Sequence, residues 1–513
     1  MFTETHWDNW LAKEKANYKL EQSNKSGKPK RKYLKKGYLH LDERIWFPDK
    51  ENSLKSLLSS KEKISKRAFF PFLKFIIKTP RYKYDKTLGF RQIDHKKRPI
   101  SFAGHLDALI YSFYSYCLTK QYETYIRDNK ISDCVLAYRT DLDGYCNIDF
   151  SRDVFKYIKS MGECTAIALD VEGFFDSLNH KILLEEWQRV VGLDKLPDDQ
   201  YHIFRSLTKY SYINKNSLLR FTKTDLETIT PKPNTLLDLV KGVKDSDKFN
   251  LLRERNLIVT NRKPYGIPQG SPISAVLSNI YMVGFDMSVE AFVQSRGGLY
   301  RRYCDDILIV CKNEDISDIR RLAYTEIDKL NLVIQETKEE EIIFLKNDYG
   351  KLYSLNSKAI KKAGVELPVN GEKQKFAKSL QYLGFEFNGE KIFVRSSSLS
   401  RYFRKAKARV NKTIRMAYSP ISKGGKVFTK KLLHRYTHLG KRNFVSYALN
   451  ASKDEYPAAS GTKYGMDSPA IKQQMSQHVK KVKIDLAKKN VDRIELKKKK
   501  QKLKRVKTVK MRW

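Results

Sequence analysis

Tyr300-Arg301-Arg302-Tyr303-Cys304-Asp305-Asp306-Ile307-Leu308-Ile309-Val310 sets two adjacent carboxylates between a basic aromatic run and a β-branched apolar run. Both flanks have the make-up of short strands, so the acids are expected at a hairpin turn. A turn lifts carboxylates out of the sheet, where they can hold Mg²⁺, a hard cation that takes oxygen ligands and shares them with substrate phosphates. Asp is also an ordinary turn residue, so the pair gains meaning only from its company elsewhere in the chain.

A second acid stands in comparable surroundings. Thr165 to Leu169 reads as a small apolar strand that ends in Asp170, a common ligand position, and a helix is expected from Lys181 to Val191. Asp176, just before that helix, reads better as a cap or turn residue. Cations are offered by Gly89 to Ile100, which reads as a hairpin carrying Arg91 and Arg98. Across a hairpin both can point one way, and arginine grips phosphate with a planar fork. In Tyr265 to Ser274 two prolines and two glycines force a loop, and Gly270 beside Gln269 would let a base or sugar approach the backbone. Helices are expected over Ser274–Glu290, Ile316–Leu330 and His105–Ile126, the last tyrosine-rich and largely buried.

The 513 residues suffice for two or three packed units, and 41% hydrophobic residues for a sizeable core. One hundred Lys+Arg against 58 Asp+Glu give a formal net charge of +42, spread along the chain, for which a polyphosphate backbone is the usual partner. No amphipathic anchor, lipidation motif, signal peptide or apolar run of membrane-spanning length is present, so a cytoplasmic protein without a membrane partner is expected. Six cysteines without a C-x-x-C pair indicate neither zinc nor a disulfide framework, and so a reducing compartment. Three divisions are expected: a loosely ordered basic arm over 1–60 with a Lys-rich run from Ser23 to Lys36, a central region over 61–395, and a basic helical region over 396–513 that ends in the cationic Lys497 to Lys510. Within the central region, 193–262 reads as a polar surface insertion, helical in part and without an assignable task.

In this order the motifs resemble those of reverse transcriptases: Arg98-Pro99-Ile100, Leu169-Asp170 with Phe174-Phe175, Pro268-Gln269-Gly270-Ser271-Pro272, Tyr303-Cys304-Asp305-Asp306, Lys338, and Leu383-Gly384-Phe385. The resemblance covers roughly residues 60–395. Cys304 stands where the family more often has Ala or Met. The resemblance implies an α+β right-hand polymerase, with fingers, a palm of antiparallel sheet backed by helices, and a helical thumb at 396–513. It implies two Mg²⁺ ions, with Mn²⁺ as a substitute, on Asp170, Asp305, Asp306 and the carbonyl of Val171. It further implies a nucleotide site of Arg91, Arg98, Gln269 and Gly270, with Phe175 as the steric gate against a ribose 2′-hydroxyl. Lys338 would then donate a proton to pyrophosphate, and Leu383, Gly384 and Phe385 would grip the primer. In the basic C-terminal region Arg401, Arg404, Lys405, Arg435, Lys441 and Arg442 would hold nucleic acid, with neighbouring rings such as Tyr402 and Tyr436 stacking on unpaired bases.

Gly440 to Lys483, with Asn443-Phe444-Val445-Ser446-Tyr447-Ala448, resembles the helical C-terminal part of defence-associated bacterial reverse transcriptases. That implies a cDNA-making, anti-phage enzyme with a partner non-coding RNA, dNTPs as substrates and, in some relatives, homo-oligomers. Three alternatives stay open: a retron-type enzyme making RNA-linked DNA, although Asn-Ala-x-x-His and Val-Thr-Gly segments are absent; an RNA-binding scaffold with a polymerase fold, against which the intact acids argue; and an RNA-directed RNA polymerase, against which Phe175 argues.

Overall fold

The computed structural model describes residues 2–16, 38–45, 50–85, 87–142, 144–366, 373–419, 427–458 and 461–510, with backbone alone for 83, 84, 91, 373 and 497–510. The Lys-rich run Ser23 to Lys36 and the side chains of Arg91 and of Lys497 to Lys510 therefore lie outside the described residues.

In chain order the strands are β1 (Phe72–Asp85), β2 (Phe90–Phe102), β3 (Cys164–Asp170), β4 (Ser211–Asn214), β5 (Ile258–Thr260), β6 (Leu299–Tyr303), β7 (Asp306–Cys311), β8 (Glu340–Lys346), β9 (Leu352–Asn356), β10 (Leu380–Tyr382), β11 (Phe385–Phe387), β12 (Ile392–Val394), β13 (Glu455–Ala458) and β14 (Gly461–Tyr464). They form sheets in the orders β2-β1-β4-β5, β6-β7-β3-β8-β9, β10-β11-β12 and β13-β14. The class is α+β with antiparallel pairing throughout most of the sheets, as the resemblance implies.

The first compact unit comprises Met1–Asp141, Leu169–Leu308 and Ser317–Glu339. Its N-terminus departs from the expected loose arm. Glu4–Ala16 is a helix whose Trp7 and Trp10 are 2% and 1% exposed, with the Trp10 ring edge-on to Phe113 at 5.6 Å. Two buried indoles outweigh the polar composition of the surrounding segment. The tyrosine-rich helix is His105–Asp128 and is largely buried, as expected. The expected hairpin at Gly89 to Ile100 is instead one strand of a longer hairpin: β1 and β2 pair from Leu73↔Phe102 to Asp85↔Phe90. Arg91 and Arg98 thus share a strand, which removes the reason for expecting them to face one way.

The region 193–262 is no surface appendage. β4 adds parallel to β1, β5 pairs with β4, and Ile213, Leu218, Leu236, Leu239, Val240 and Leu252 close a core over Leu41 and Leu73. Its strands are three and four residues long, too short to leave a readable period. After the Pro-Gln-Gly loop the expected single helix is two, Ser274–Tyr281 and Val283–Ser295. This pair, bent by 48°, has the length and apolarity of a membrane span but is mostly buried; among the described residues no single helix qualifies.

The second unit comprises Leu142–Ala168, Ile309–Ile316 and Glu340–Trp513. Residue 395, where the sequence reading sets a boundary, lies inside this unit. β8 pairs antiparallel with β3 and β9. The basic C-terminal region is helical as expected, with the addition of the β13–β14 hairpin. Its first helix, Ser396–Ala417, turns Ala406, Val410 and Ile414 into a core with Leu432 and Val482.

Candidate active site

The acid pair sits where the sequence places it, with one refinement. The two-residue turn is Cys304-Asp305, and Asp306 already opens β7. Cys304 takes φ +62°, in the left-handed region that side chains seldom adopt. A buried polar network underlies this turn. The guanidinium of Arg302 donates to Asp286 through Nε (2.7 Å) and Nη2 (2.5 Å), and both residues are fully buried. Nη1 donates to Asn279 Oδ1 and to the carbonyl of Cys304, each at 3.2 Å. Tyr300 adds its hydroxyl to Asp286 at 2.6 Å. Asn279 and Asp286 belong to the two helices after the Pro-Gln-Gly loop, so that loop's following segment holds the acid turn in place. The thiol of Cys304, buried beside Asp305, is pushed up to about 12 and stays protonated.

Asp170 meets this turn through backbone. The N–H of Val171 donates to the carbonyl of Asp305 at 3.3 Å, and the carbonyl of Asp170 accepts from Gln335 N at 2.8 Å. Lys338, in the short turn Glu336–Lys338, donates its ammonium to Asp170 Oδ2. Asp170, Val171, Asp305 and Lys338 line one cleft of about 440 Å³, together with Phe175, Gln269, Tyr138 and Gln335.

Cations from the long hairpin line the same cleft. Arg98 is among them, as expected, together with Arg81 and Lys96. The register pairs Ile77 with Arg98, Thr79 with Lys96 and Arg81 with Asp94, which puts the three cations on one face of the ribbon. Partial burial and the charges of Arg98, Arg81 and Lys338 pull the Lys96 ammonium below its ordinary range, opposed by Asp170. Arg81, Lys96, Tyr138 and the Arg302–Asp286 pair were not singled out from sequence. Lys96 and Arg98, two apart on a strand, carried a readable signal; Arg81 and Tyr138 did not.

Two expected members are placed otherwise. Asp306 is exposed and is not among the residues lining the cleft. Gly270, at φ +112°, is needed by the protein's own packing: a Cβ there would meet Ile100 Cγ2 at 3.0 Å and the Ser101 carbonyl at 3.1 Å. The close approach expected of a ligand is thus made by β2, whose Ser101 N–H donates to the Gln269 carbonyl at 2.8 Å. For Arg91 only the backbone is described.

Among the described residues no three His, Cys, Asp or Glu side chains gather as a metal cage. The residues present nevertheless fit a hard divalent ion. Asp170 already binds a cation directly through Lys338, and Asp305 and Val171 line the same cleft. Such a partial oxygen set suits Mg²⁺, which keeps waters and takes substrate phosphates as its remaining ligands.

In the second unit, Leu383 and Gly384 form the turn between β10 and β11 at φ +42° and +96°, and Phe385 is fully buried. Arg401, Arg404, Lys405, Arg435, Lys441 and Arg442 are all exposed. The rings expected beside them are used otherwise: Tyr402 is 5% exposed, stacks on Phe444 at 5.0 Å and donates its hydroxyl to the Tyr436 carbonyl at 2.6 Å.

Residues 254–387 match the family model for reverse transcriptase (RNA-dependent DNA polymerase). That stretch contains Gln269, the acid turn, Lys338 and Leu383-Gly384-Phe385, while Arg98 and Asp170 lie outside it. Among solved structures, apo telomerase from Candida tropicalis is similar at 12% identity and a TM-score of 0.36, over 80% of this chain and 57% of that one. Telomerase from Candida albicans in complex with a TWJ fragment of telomeric RNA is similar at 12% identity and a TM-score of 0.34, over 79% and 60%. The chain thus spans under two thirds of the telomerase chains it matches. No curated protein matches it in sequence.

Proposed function

We propose that the protein is an RNA-directed DNA polymerase, which extends a primer with dNTPs on an RNA template. The observation that carries this reading is the meeting of Asp170 with Asp305. Asp170 lies outside the matched stretch, yet its neighbour Val171 is hydrogen-bonded to Asp305 and both acids line one cleft opposite the hairpin cations. Acids brought from distant parts of a chain, facing cations across a gap, suit in-line phosphoryl transfer.

A divalent metal on Asp170, Asp305 and the Val171 carbonyl would acidify the primer 3′-hydroxyl and neutralise charge on the triphosphate. Arg98, with Lys96 and Arg81, holds the phosphates from the hairpin side. Phe175 lines the cleft, where its ring would crowd a ribose 2′-hydroxyl, and Gln269 lines the nucleotide's surroundings. Lys338 gives a proton to the departing pyrophosphate after leaving Asp170. The template in this reading is a structured non-coding RNA and the role is bacterial anti-phage defence in the cytoplasm. The likeness of Gly440 to Lys483 to defence-associated relatives and the net charge of +42 support this.

The test is incorporation on a primed RNA template with dNTPs or NTPs, in Mg²⁺ or Mn²⁺. Extension with dNTPs that is lost in Asp170→Asn and Asp305→Asn is expected. No extension by the native protein, or undiminished extension by either variant, overturns the reading. Sequencing of nucleic acid that co-purifies from the native host identifies the template.

A further inference from the structure

The region 193–262, whose task is not legible in its residues alone, builds most of a second and larger hollow in the first unit. This hollow has a volume of about 760 Å³ and shares Pro99 and Asp176 with the catalytic cleft. Its walls alternate rings and cations. Ile213 on β4 points into the core, so Tyr212 points to the opposite face, where the Lys74 ammonium sits over its ring at 4.5 Å. Tyr210 lies 6.0 Å from Tyr212, ring to ring. From the other side the loop 261–266 brings Arg262, Lys263 and Tyr265, with the Lys263 ammonium over the Tyr265 ring at 5.2 Å.

This loop is built in advance of any ligand. Asn261 donates from its backbone to the Tyr210 carbonyl at 2.8 Å and from Nδ2 to the carbonyls of Thr208 (3.0 Å) and Tyr265 (3.2 Å). His180 N donates to the Pro264 carbonyl at 2.9 Å. Gly266, at φ +87°, lies so close to Asp176 that a Cβ would stand 2.9 Å from its carbonyl oxygen. Yet the pinned loop leaves Tyr265 40% exposed and Lys263 exposed. A rigid loop that keeps an aromatic face and two cations in water is made for a flat ring joined to a phosphate.

We infer that this hollow is a binding site for an unpaired nucleotide of a polynucleotide strand: the base stacks on Tyr265 or Tyr212 while Lys263, Arg262 and Lys74 hold the flanking phosphates. The shared wall at Pro99 and Asp176 makes that nucleotide a neighbour of the one in the catalytic cleft, so the strand runs through both. This rests on the polymerase reading for the identity of the strand as template, but not for the binding itself.

The experiment measures fluorescence anisotropy of the full chain with two probes, a primed duplex carrying a short single-stranded 5′ template overhang and the same duplex made blunt, each with RNA or DNA as template. The overhang should tighten binding by the native protein, and Tyr265→Ala should abolish roughly tenfold of that gain with the blunt duplex unaffected. Lys263→Glu, at an exposed position, serves where the tyrosine variant is unstable, and should remove the gain while steepness in salt falls. A loss on either template type supports the site, and the larger loss names the strand it takes. Equal losses on overhang and blunt probes, or none, overturn it. Asp305→Asn should bind both probes as the native protein does, so failure of the polymerase reading would show in extension while the overhang effect persists.

Discussion

The acid-lined cleft and the cationic helix Ser396–Ala417 hold their exposed charges in opposite ways. In the cleft, Asp305 stands on a turn whose carbonyl is tied to a fully buried Arg302, itself paired with a buried Asp286. On the helix, Arg401, Arg404 and Lys405 stand over an apolar layer of Ala406, Val410 and Ile414, with Tyr402 packed alongside. A buried polar foundation fixes direction, since each member must be satisfied and only one arrangement satisfies all. An apolar foundation fixes where the helix lies but asks no single direction of the charges above it. Changes in the first region should therefore be large and specific, and those in the second small, additive and dependent on salt.

The widest gap between the two regions is expected at the acids. Asp170→Asn and Asp305→Asn should lower single-nucleotide incorporation by about three orders of magnitude or more, with melting temperature preserved. Residual activity near that of the native protein would erase the distinction. Next comes the foundation. Arg302→Met leaves the buried Asp286 carboxylate without its counter-charge and should cost about 3–5 kcal/mol in unfolding free energy. Adding Asp286→Leu should restore most of that stability, but not the hold on the Cys304 carbonyl. The double variant should melt like the native protein and still show a reduced kcat at unchanged KM for dNTP; full recovery of kcat would make the pair merely structural. A third and narrower effect lies in sugar choice: Phe175→Ala should raise use of NTPs relative to dNTPs by up to about a hundredfold, measured as a ratio of kcat/KM values. An unchanged ratio would make Phe175 a core ring. Smallest is the helix. Charge reversal at Arg401, Arg404 and Lys405 should flatten the dependence of log K on log salt by roughly 0.7–0.9 for each phosphate that the helix no longer neutralises, leaving single-nucleotide addition on a saturating duplex intact. Equal slopes would place the phosphate-binding surface elsewhere.

The parts legible in the sequence were those whose chemistry is local. The acid turn, the strand ending at Asp170 and the buried tyrosine-rich helix each declare themselves within a few residues. The Arg302–Asp286 pair joins residues sixteen positions apart, and its only local sign was an acid between Phe285 and Met287 in a helix. The hairpin cations depended on register, which the turn at 87–89 decides and Gly89 to Ile100 alone does not. For the region 193–262, strands of three and four residues offered periodicity nothing to work on. Tyr402 is different: with Ala406, Val410 and Ile414 it forms a stripe four residues apart, so its burial was written in the sequence and was outweighed by the attraction of a ring beside cations.

The long hairpin has a consequence for handling the protein in solution. β4 covers β1 only from Phe72 to Lys74. Beyond that, among the described residues, both margins of the ribbon carry backbone donors and acceptors that another chain could pair with, and Ile76, Tyr82 and Ile93 are exposed on it. Such a ribbon would seed fibrils if it were flat and neutral. Pro80 and Pro99 interrupt its rows of donors, and Lys78, Lys96 and Lys97 make each approaching copy repel the next. Colloidal stability should consequently depend on ionic strength in the sense opposite to many proteins, with dilute salt keeping copies apart and concentrated salt letting the ribbons meet.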